Sequence, residues 1–278
     1  GARGKRIIEF LEQEKQFTTD DMKAMLLDDV GLYHVKNVNK LLSMARPENE
    51  EAEEYKKLML AWDGSHKRDM VEPTFYYAFQ YNMLKSAMQD ELGKDDFEAY
   101  LKTYSYMRAY HVLSFNDSSD WWHNANSEKI RISKELVVQT AFNETVRQLE
   151  NEKSQLWEDH FTLEHSHALG KVEALAKVFN VGPLPLDGGI EVLNKQGFVP
   201  NGDLQYRCKT GPSKRIVIDF ADVKNAESIN PTGQSGHVMS EHYADQFEMH
   251  VNGKFRPMLM DEDKIIKFER VLFLNPTE

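Results

Sequence analysis

The stretch Asn230-Pro231-Thr232-Gly233-Gln234-Ser235-Gly236, followed after three intervening residues by Ser240-Glu241-His242-Tyr243-Ala244-Asp245-Gln246, decides the reading of this chain. Gly233 and Gly236 allow backbone conformations with φ > 0, and the Gln and Ser side chains between them can satisfy main-chain groups, so the first half reads as a tight loop. Ser240 then reads as the opening of an amphipathic helix with Tyr243, Phe247 and Val251 on one side. A nucleophile elbow would need Gly-x-Ser-x-Gly between a strand and a helix. Here the second Gly comes one residue early and His237 takes its place, which favours the plain loop.

Working outward, the second half carries short strand patterns. Leu204, Tyr206 and Cys208 alternate with polar residues, Lys209 to Ser213 contains Gly211-Pro212, and Arg215 to Phe220 resumes with Ile216, Val217 and Ile218. That pattern predicts a hairpin with a five-residue loop. Pro183, Pro185, Gly188 and Gly189 act as breakers after a short helix over 171–179, and Val271 to Leu274 reads as a buried strand.

The first half reads as helices. Ile7, Phe10 and Leu11 follow a helical period that breaks near Gln13 to Gln16, and Thr18 stands three residues before Asp21 as in a capping box. Val38, Leu41 and Leu42 form a stripe closed by Pro47. An acidic run from Glu48 to Glu54 is the solvated face of a helix that buries Tyr55, Leu58, Met59 and Trp62. Pro73 suits a first helical position, Gly93 ends that helix, and Phe97 to Tyr104 suggest another. Ser127 is expected to open a long helix carrying Ile132, Leu136, Phe142, Val146 and Leu149. The expectation is an α+β protein with a mainly helical region over 1–154 and a mixed strand and helix region over 155–278, the two packed as one unit.

The 278 residues include 34 Lys plus Arg, 45 Asp plus Glu and one Cys, for a net charge of -11. That length buries a sizeable core. The acidic balance argues against a nucleic-acid or anionic-lipid partner, and no apolar run approaches the roughly 20 residues of a membrane span. A single Cys208 excludes an internal disulfide framework, and its alternation with Tyr206 makes it a small buried hydrophobe. His160, His165 and His167 would place two imidazoles on one face if 161–167 were a strand, which raises a metal-dependent hydrolase as a rival reading. Against it, no His-Glu-x-x-His helix or carboxylate at ligand spacing accompanies them. Arg3, Lys5 and Arg6 fall in a first helical turn, where cations oppose the helix dipole by roughly 0.3–1 kcal/mol each. One of them facing an anion or a developing negative charge would offset that cost.

The Pro-x-Gly-Gln-Ser-Gly loop and the Ser-x-x-Tyr-x-Asp-Gln segment, followed by Gly253 and Pro257-Met258, resemble the C-terminal signature of the penicillin acylase family. Trp62-Asp63-Gly64, the loop from Gly182-Pro183 to Gly188-Gly189, and Arg215 to Asp219 resemble it in the same order, and the segment from Arg3 to Gln13 resembles the helix that carries a family active-site arginine. The resemblance implies an amidase of the N-terminal nucleophile class, with strands completing an α-β-β-α sandwich and with hydrolysis of a linear amide to a carboxylic acid and an amine. In such enzymes a precursor cleaves itself, and the new N-terminal Ser, Thr or Cys attacks with its own α-amino group as base. An α-amino pKa of about 7.7–8.0 suits that role.

This sequence departs from the pattern at residue 1, which is Gly, and its first Ser is Ser43. The expectation is therefore a C-terminal portion of the larger chain, inactive alone, with the nucleophile, the oxyanion-hole Asn and any structural calcium site upstream. The site residue carried over is Arg3, in an orienting role at the oxyanion hole, and no cofactor or metal is expected within this portion. Its partners would be the small chain, the rest of the large chain and an acyl amide substrate: a penicillin, an acyl homoserine lactone or another amide. The family resemblance implies a periplasmic or secreted protein. The alternative is a non-catalytic binding module that keeps the acylase C-terminal fold.

Overall fold

A computed structural model describes residues 1–13, 15–122 and 133–267. The chain divides into two compact units, one formed by Gly1–Gln13 with Leu27–Gly211 and the other by Glu14–Leu26 with Pro212–Glu278.

The larger unit is built first from helices: α1 (Ala2–Leu11), α3 (Leu32–Leu42), α4 (Glu50–Ala61), α5 (Glu72–Leu101), α6 (Ser105–Phe115) and α7 (Lys134–Glu150). Helix α2 (Thr19–Leu26) belongs to the smaller unit. The expected stripe of α3 is buried at Val38, Leu41 and Leu42. Asn49 caps α4 by accepting from Ala52 N at 2.7 Å. Pro73 lies in the first turn of α5, and Gly93, at φ 74°, breaks the helical path inside it before Phe97 and Leu101 return to the core. Helices α5 and α7 pack through Phe75 and Phe142, and Asn82 Nδ2 donates to Thr145 Oγ1 at 3.0 Å and Gln148 Oε1 at 2.8 Å. These paired amides let a polar group sit in an otherwise apolar interface. Ser133 caps α7, while the start expected at Ser127, together with Ile132, lies outside the described residues.

The same unit continues with α8 (Trp157–His160), β1 (Phe161–His165), α9 (Glu173–Phe179), β2 (Val181–Pro185) and β3 (Tyr206–Cys208). Its sheet has the order β2-β1-β3, with β1 antiparallel to β2 and parallel to β3. Trp157 anchors this region, with ring centroids 4.5 Å from Phe161, 5.3 Å from Tyr77 and 5.4 Å from Tyr206. The Pro-rich segment expected to be only a breaker is strand β2. Its edge position explains this, since an edge strand tolerates residues that cannot donate to a ladder.

The smaller unit holds a second sheet of β4 (Arg215–Val217), β5 (Glu227–Ile229) and β6 (Arg256–Pro257), in that order, with α10 (Phe247–Val251) and α11 (Glu262–Ile265). The predicted hairpin of Tyr206–Cys208 with Arg215–Val217 does not form, because β3 pairs with β1 and β4 pairs with β5. Leu204 sits at φ 57° and is outside the strand. The capping box of α2 is present: Thr18 N donates to Asp21 Oδ2 at 2.9 Å and Asp21 N to Thr18 Oγ1 at 3.2 Å. Lys23 of α2 forms an ion pair with Glu227 of β5 and lies 5.8 Å from the Phe255 ring.

The helix expected from Ser240 is shorter than its apolar period suggests, and only Phe247–Val251 is helical. The carbonyl of His242 accepts from Gln234 N and Ser235 N at 3.0 and 3.1 Å, so it is turned to the Gly233 loop and not to the next helical turn. Gln246 N goes to Thr232 O at 3.1 Å. A Cβ at position 233 would stand 1.9 Å from His242 O, so this close approach requires glycine. The strand expected at Val271 to Leu274 lies outside the described residues. The α+β class expected from the sequence is the class observed, with the helices of α1–α7 preceding the first strand.

Candidate active site

Helix α1 carries the three cations singled out in the sequence, and the structure separates their roles. Arg6 donates from Nε and Nη2 to the two carboxylate oxygens of Asp28 at 3.0 and 2.7 Å, and from Nη1 to Glu9 at 3.2 Å. These partners raise the guanidinium pKa further, with the Asp28 hydrogen bond as the leading cause. Lys5 lies over the Tyr33 ring at 5.3 Å. Arg3 is exposed, and no hydrogen bond or ion pair joins it to another described residue. It stands at the head of α1, where no acidic residue occupies the first turn.

Arg3 opens onto a cleft of about 550 Å³ lined by Gly1, Tyr104, Met107, Glu191 and Lys195. The far wall is the segment 187–196, which main-chain and side-chain bonds fix in place. Gly188 N donates to His66 O at 2.8 Å, and Trp157 Nε1 donates to Gly188 O at 3.1 Å. Ile190 N donates to the buried Tyr77 hydroxyl at 2.8 Å. Asn194 N donates to Asp28 O at 2.7 Å, so the residue that holds Arg6 also holds this wall. Gly188 has φ 108°, and a Cβ there would stand 2.4 Å from Asn194 O. Glu191 itself has φ 64°, a left-handed conformation that a non-glycine residue keeps only when its surroundings impose it.

Burial pushes the Glu191 carboxyl pKa up, while Arg3 pulls it down. Behind Glu191 lies His34, with Nε2 4.0 Å from Glu191 Oε2 and Nδ1 3.2 Å from His66 Nε2. Both imidazoles are buried. Burial takes His34 well below its ordinary range, with His66 adding to the effect, and takes His66 down to about 4. The cleft thus joins an exposed guanidinium, an ammonium and a carboxyl whose charge its surroundings disfavour. Such a set can bind and orient a carbonyl oxygen or a developing oxyanion.

The remaining candidates are placed elsewhere. His160 lies between Leu204 O at 3.1 Å and Ser154 O at 2.8 Å. Strand β1 ends at His165, so His167 is outside it, where it accepts from Leu169 N and stacks on Phe179. Among the described residues no group of three His, Cys, Asp or Glu side chains is placed to hold a metal ion. Cys208 is buried, with Sγ 3.2 Å from Thr210 O, and burial raises its thiol pKa. Ser235 of the Gln-Ser-Gly loop accepts from His237 N and has no strand leading into it. Glu191, Lys195, His34 and His66 were not legible as a site. They are spread over more than 150 residues with no diagnostic spacing, and only the Gly188-Gly189 pair marked a constrained loop nearby.

Residues 1–267 match the Penicillin amidase family, and the chain belongs to that family. It is 25% identical over 289 residues to the acyl-homoserine lactone acylase QuiP of Pseudomonas aeruginosa, covering 91% of this chain and 34% of that protein. It is 25% identical over 282 residues to the penicillin acylase 2 proenzyme of Pseudomonas sp. strain SE83, covering 95% of this chain and 34% of that protein. Among solved structures it is similar in fold to a thermostable penicillin G acylase from Alcaligenes faecalis, with a TM-score of 0.53, 14% identity, and coverage of 98% of this chain and 52% of that one. The chain spans about a third of the length of these curated relatives. No helix of the described residues is long and apolar enough to cross a membrane.

Proposed function

We propose that this chain is the C-terminal part of the larger chain of an amide hydrolase of the N-terminal nucleophile class. The nucleophile, the oxyanion-hole Asn and the calcium ligands lie in segments preceding residue 1. The protein acts on an N-acyl amide, releasing a carboxylic acid and an amine, and is exported to the periplasm or beyond. N-acyl homoserine lactones and penicillins are the two substrate classes that the relatives' names carry. Arg3 orients the polar groups that stabilise the oxyanion as the nucleophile adds to the amide carbonyl.

The observation that carries this reading is the position of Arg3. Its neighbour Arg6 is consumed by Asp28, while Arg3 faces a cleft with no described ion-pair partner. A surface cation placed against the helix dipole gains from an anion in front of it. The test is expression of the complete open reading frame that contains this chain, with hydrolysis of N-acyl homoserine lactones and penicillin G followed by release of the free amine. Hydrolysis by the complete protein, its loss in residues 1–278 alone, and a marked fall in Arg3→Ala support the reading. Equal hydrolysis by residues 1–278 with and without Arg3 would contradict it.

A further inference from the structure

His66 Nδ1 lies 2.8 Å from Gly64 O and 2.9 Å from Asp29 O. Carbonyl oxygens only accept, so Nδ1 must carry the proton. The buried ring is neutral at pH 7, and its Nε2 is then a bare acceptor. That nitrogen is 3.2 Å from His34 Nδ1, a distance that makes a hydrogen bond only when His34 Nδ1 carries a proton. His34 is neutral for the same reason, which leaves its Nε2 unprotonated. Two main-chain carbonyls therefore dictate the tautomer of both rings, and the chain of assignments ends on a lone pair facing Glu191 Oε2 at 4.0 Å.

An ionised carboxylate at Glu191 would set a negative charge beside that lone pair in a half-buried place at a separation too long for a hydrogen bond, whereas a carboxylic acid removes the charge and keeps its O–H for the cleft. We propose that His66 and His34 are positioning residues that hold Glu191 as a neutral carboxylic acid, so that the Arg3 cleft offers a substrate's acyl oxygen cations and a hydrogen-bond donor but no anion. The inference rests on the proposed function in taking this cleft as the place where the acyl amide binds.

The other groups around Glu191 divide by element. Arg3, at the head of α1, favours the ionised form, and Lys195 lines the same cleft. Arg3 is exposed, so water and salt weaken its pull. Tyr76 and Tyr77 of α5 and Tyr106 of α6 are neutral phenols whose ionisation a charged Glu191 would oppose. A neutral Glu191 also leaves the Arg3 guanidinium uncompensated in front of the cleft. The left-handed backbone of Glu191 is held by the bonded segment described above.

The test uses the complete protein, labelled in the histidine rings and the glutamate carboxyls and read by NMR. His34 and His66 are expected as the Nδ1–H tautomers at pH 7. The Glu191 carboxyl, assigned by its loss in Glu191→Gln, is expected to be still protonated at pH 7, where an ordinary glutamate is ionised. In His66→Phe the His34 ring loses its acceptor and is free to turn its proton toward Glu191, so the Glu191 midpoint should fall. An Nε2–H tautomer at His34, or an ionised Glu191 at pH 7, would overturn the proposal in the unsubstituted protein, whether or not the variant folds. These readouts need no turnover. Failure to hydrolyse any amide with the tautomers as stated would remove the proposed function and leave the histidine assignment standing.

Discussion

Arg6 grips Asp28 through two nitrogen atoms at 3.0 and 2.7 Å, and the carbonyl of the same Asp28 receives Asn194 N at 2.7 Å. One aspartate thus ties α1 to the wall that carries Glu191. Arg6 and Asp28 are mostly buried side chains, so the pair is not a freely solvated surface contact. Charge-assisted bonds of this kind contribute about 1.5–3 kcal/mol. Arg6→Ala should destabilise the protein by that amount in urea unfolding, and it should also lower amide hydrolysis because the wall of the cleft loses its tie to α1. An unchanged unfolding midpoint would remove Arg6 from this role.

Gly188 is required by conformation and by space. Its φ of 108° and the 2.4 Å separation that a Cβ would have from Asn194 O leave no room for a side chain. Gly188→Ala should cost about 1–3 kcal/mol, measured by thermal or denaturant unfolding. Gly4→Ala, where a Cβ meets nothing within 4 Å, is the control and should be neutral or slightly stabilising.

The buried histidine pair gives stability a defined pH dependence. His66 is pushed down to about 4 from an ordinary value of 6.5, so the unfolded chain binds a proton that the folded one refuses between those values. Stability is therefore full above about pH 6.5 and falls as pH drops toward 4, with His34 acting in the same direction. Glu191 and Asp29, whose carboxyl pKa values are raised by burial, act oppositely and flatten the slope. Urea midpoints at pH 7 and pH 4.5 should differ, the acidic one being lower. In His66→Phe that difference should shrink.

Much of the helical framework was legible because its signals are local. Thr18 and Asp21 close a capping box within one turn, and Val38, Leu41 and Leu42 mark a buried face by spacing alone. Pairing of strands was less legible. Tyr206–Cys208 and Arg215–Val217 have a hairpin's spacing, yet their partners are Phe161–Leu163 and Glu227–Ile229, one of them more than 40 residues distant. The helix expected from Ser240 failed for a related reason: the His242 carbonyl is claimed by the Gly233 loop, a contact that apolar periodicity does not report. Within the candidate site, Arg3, Lys5 and Arg6 were legible together as cations in the wrong place for the helix dipole, and the family resemblance alone singled out Arg3. Glu191 was not, because its significance comes from a left-handed backbone and from His34 behind it.

The most direct measurement is steady-state hydrolysis of an N-acyl amide by the complete protein and its Arg3→Ala and Arg3→Lys variants, with folding of each checked by unfolding midpoint. An orienting guanidinium at the oxyanion predicts a fall in kcat of roughly 10²-fold for Arg3→Ala at unchanged stability. Partial recovery is expected in Arg3→Lys, whose ammonium keeps the charge but lacks the planar fork. Equal kcat in all three proteins would contradict the assignment of this cleft as part of an amidase active site.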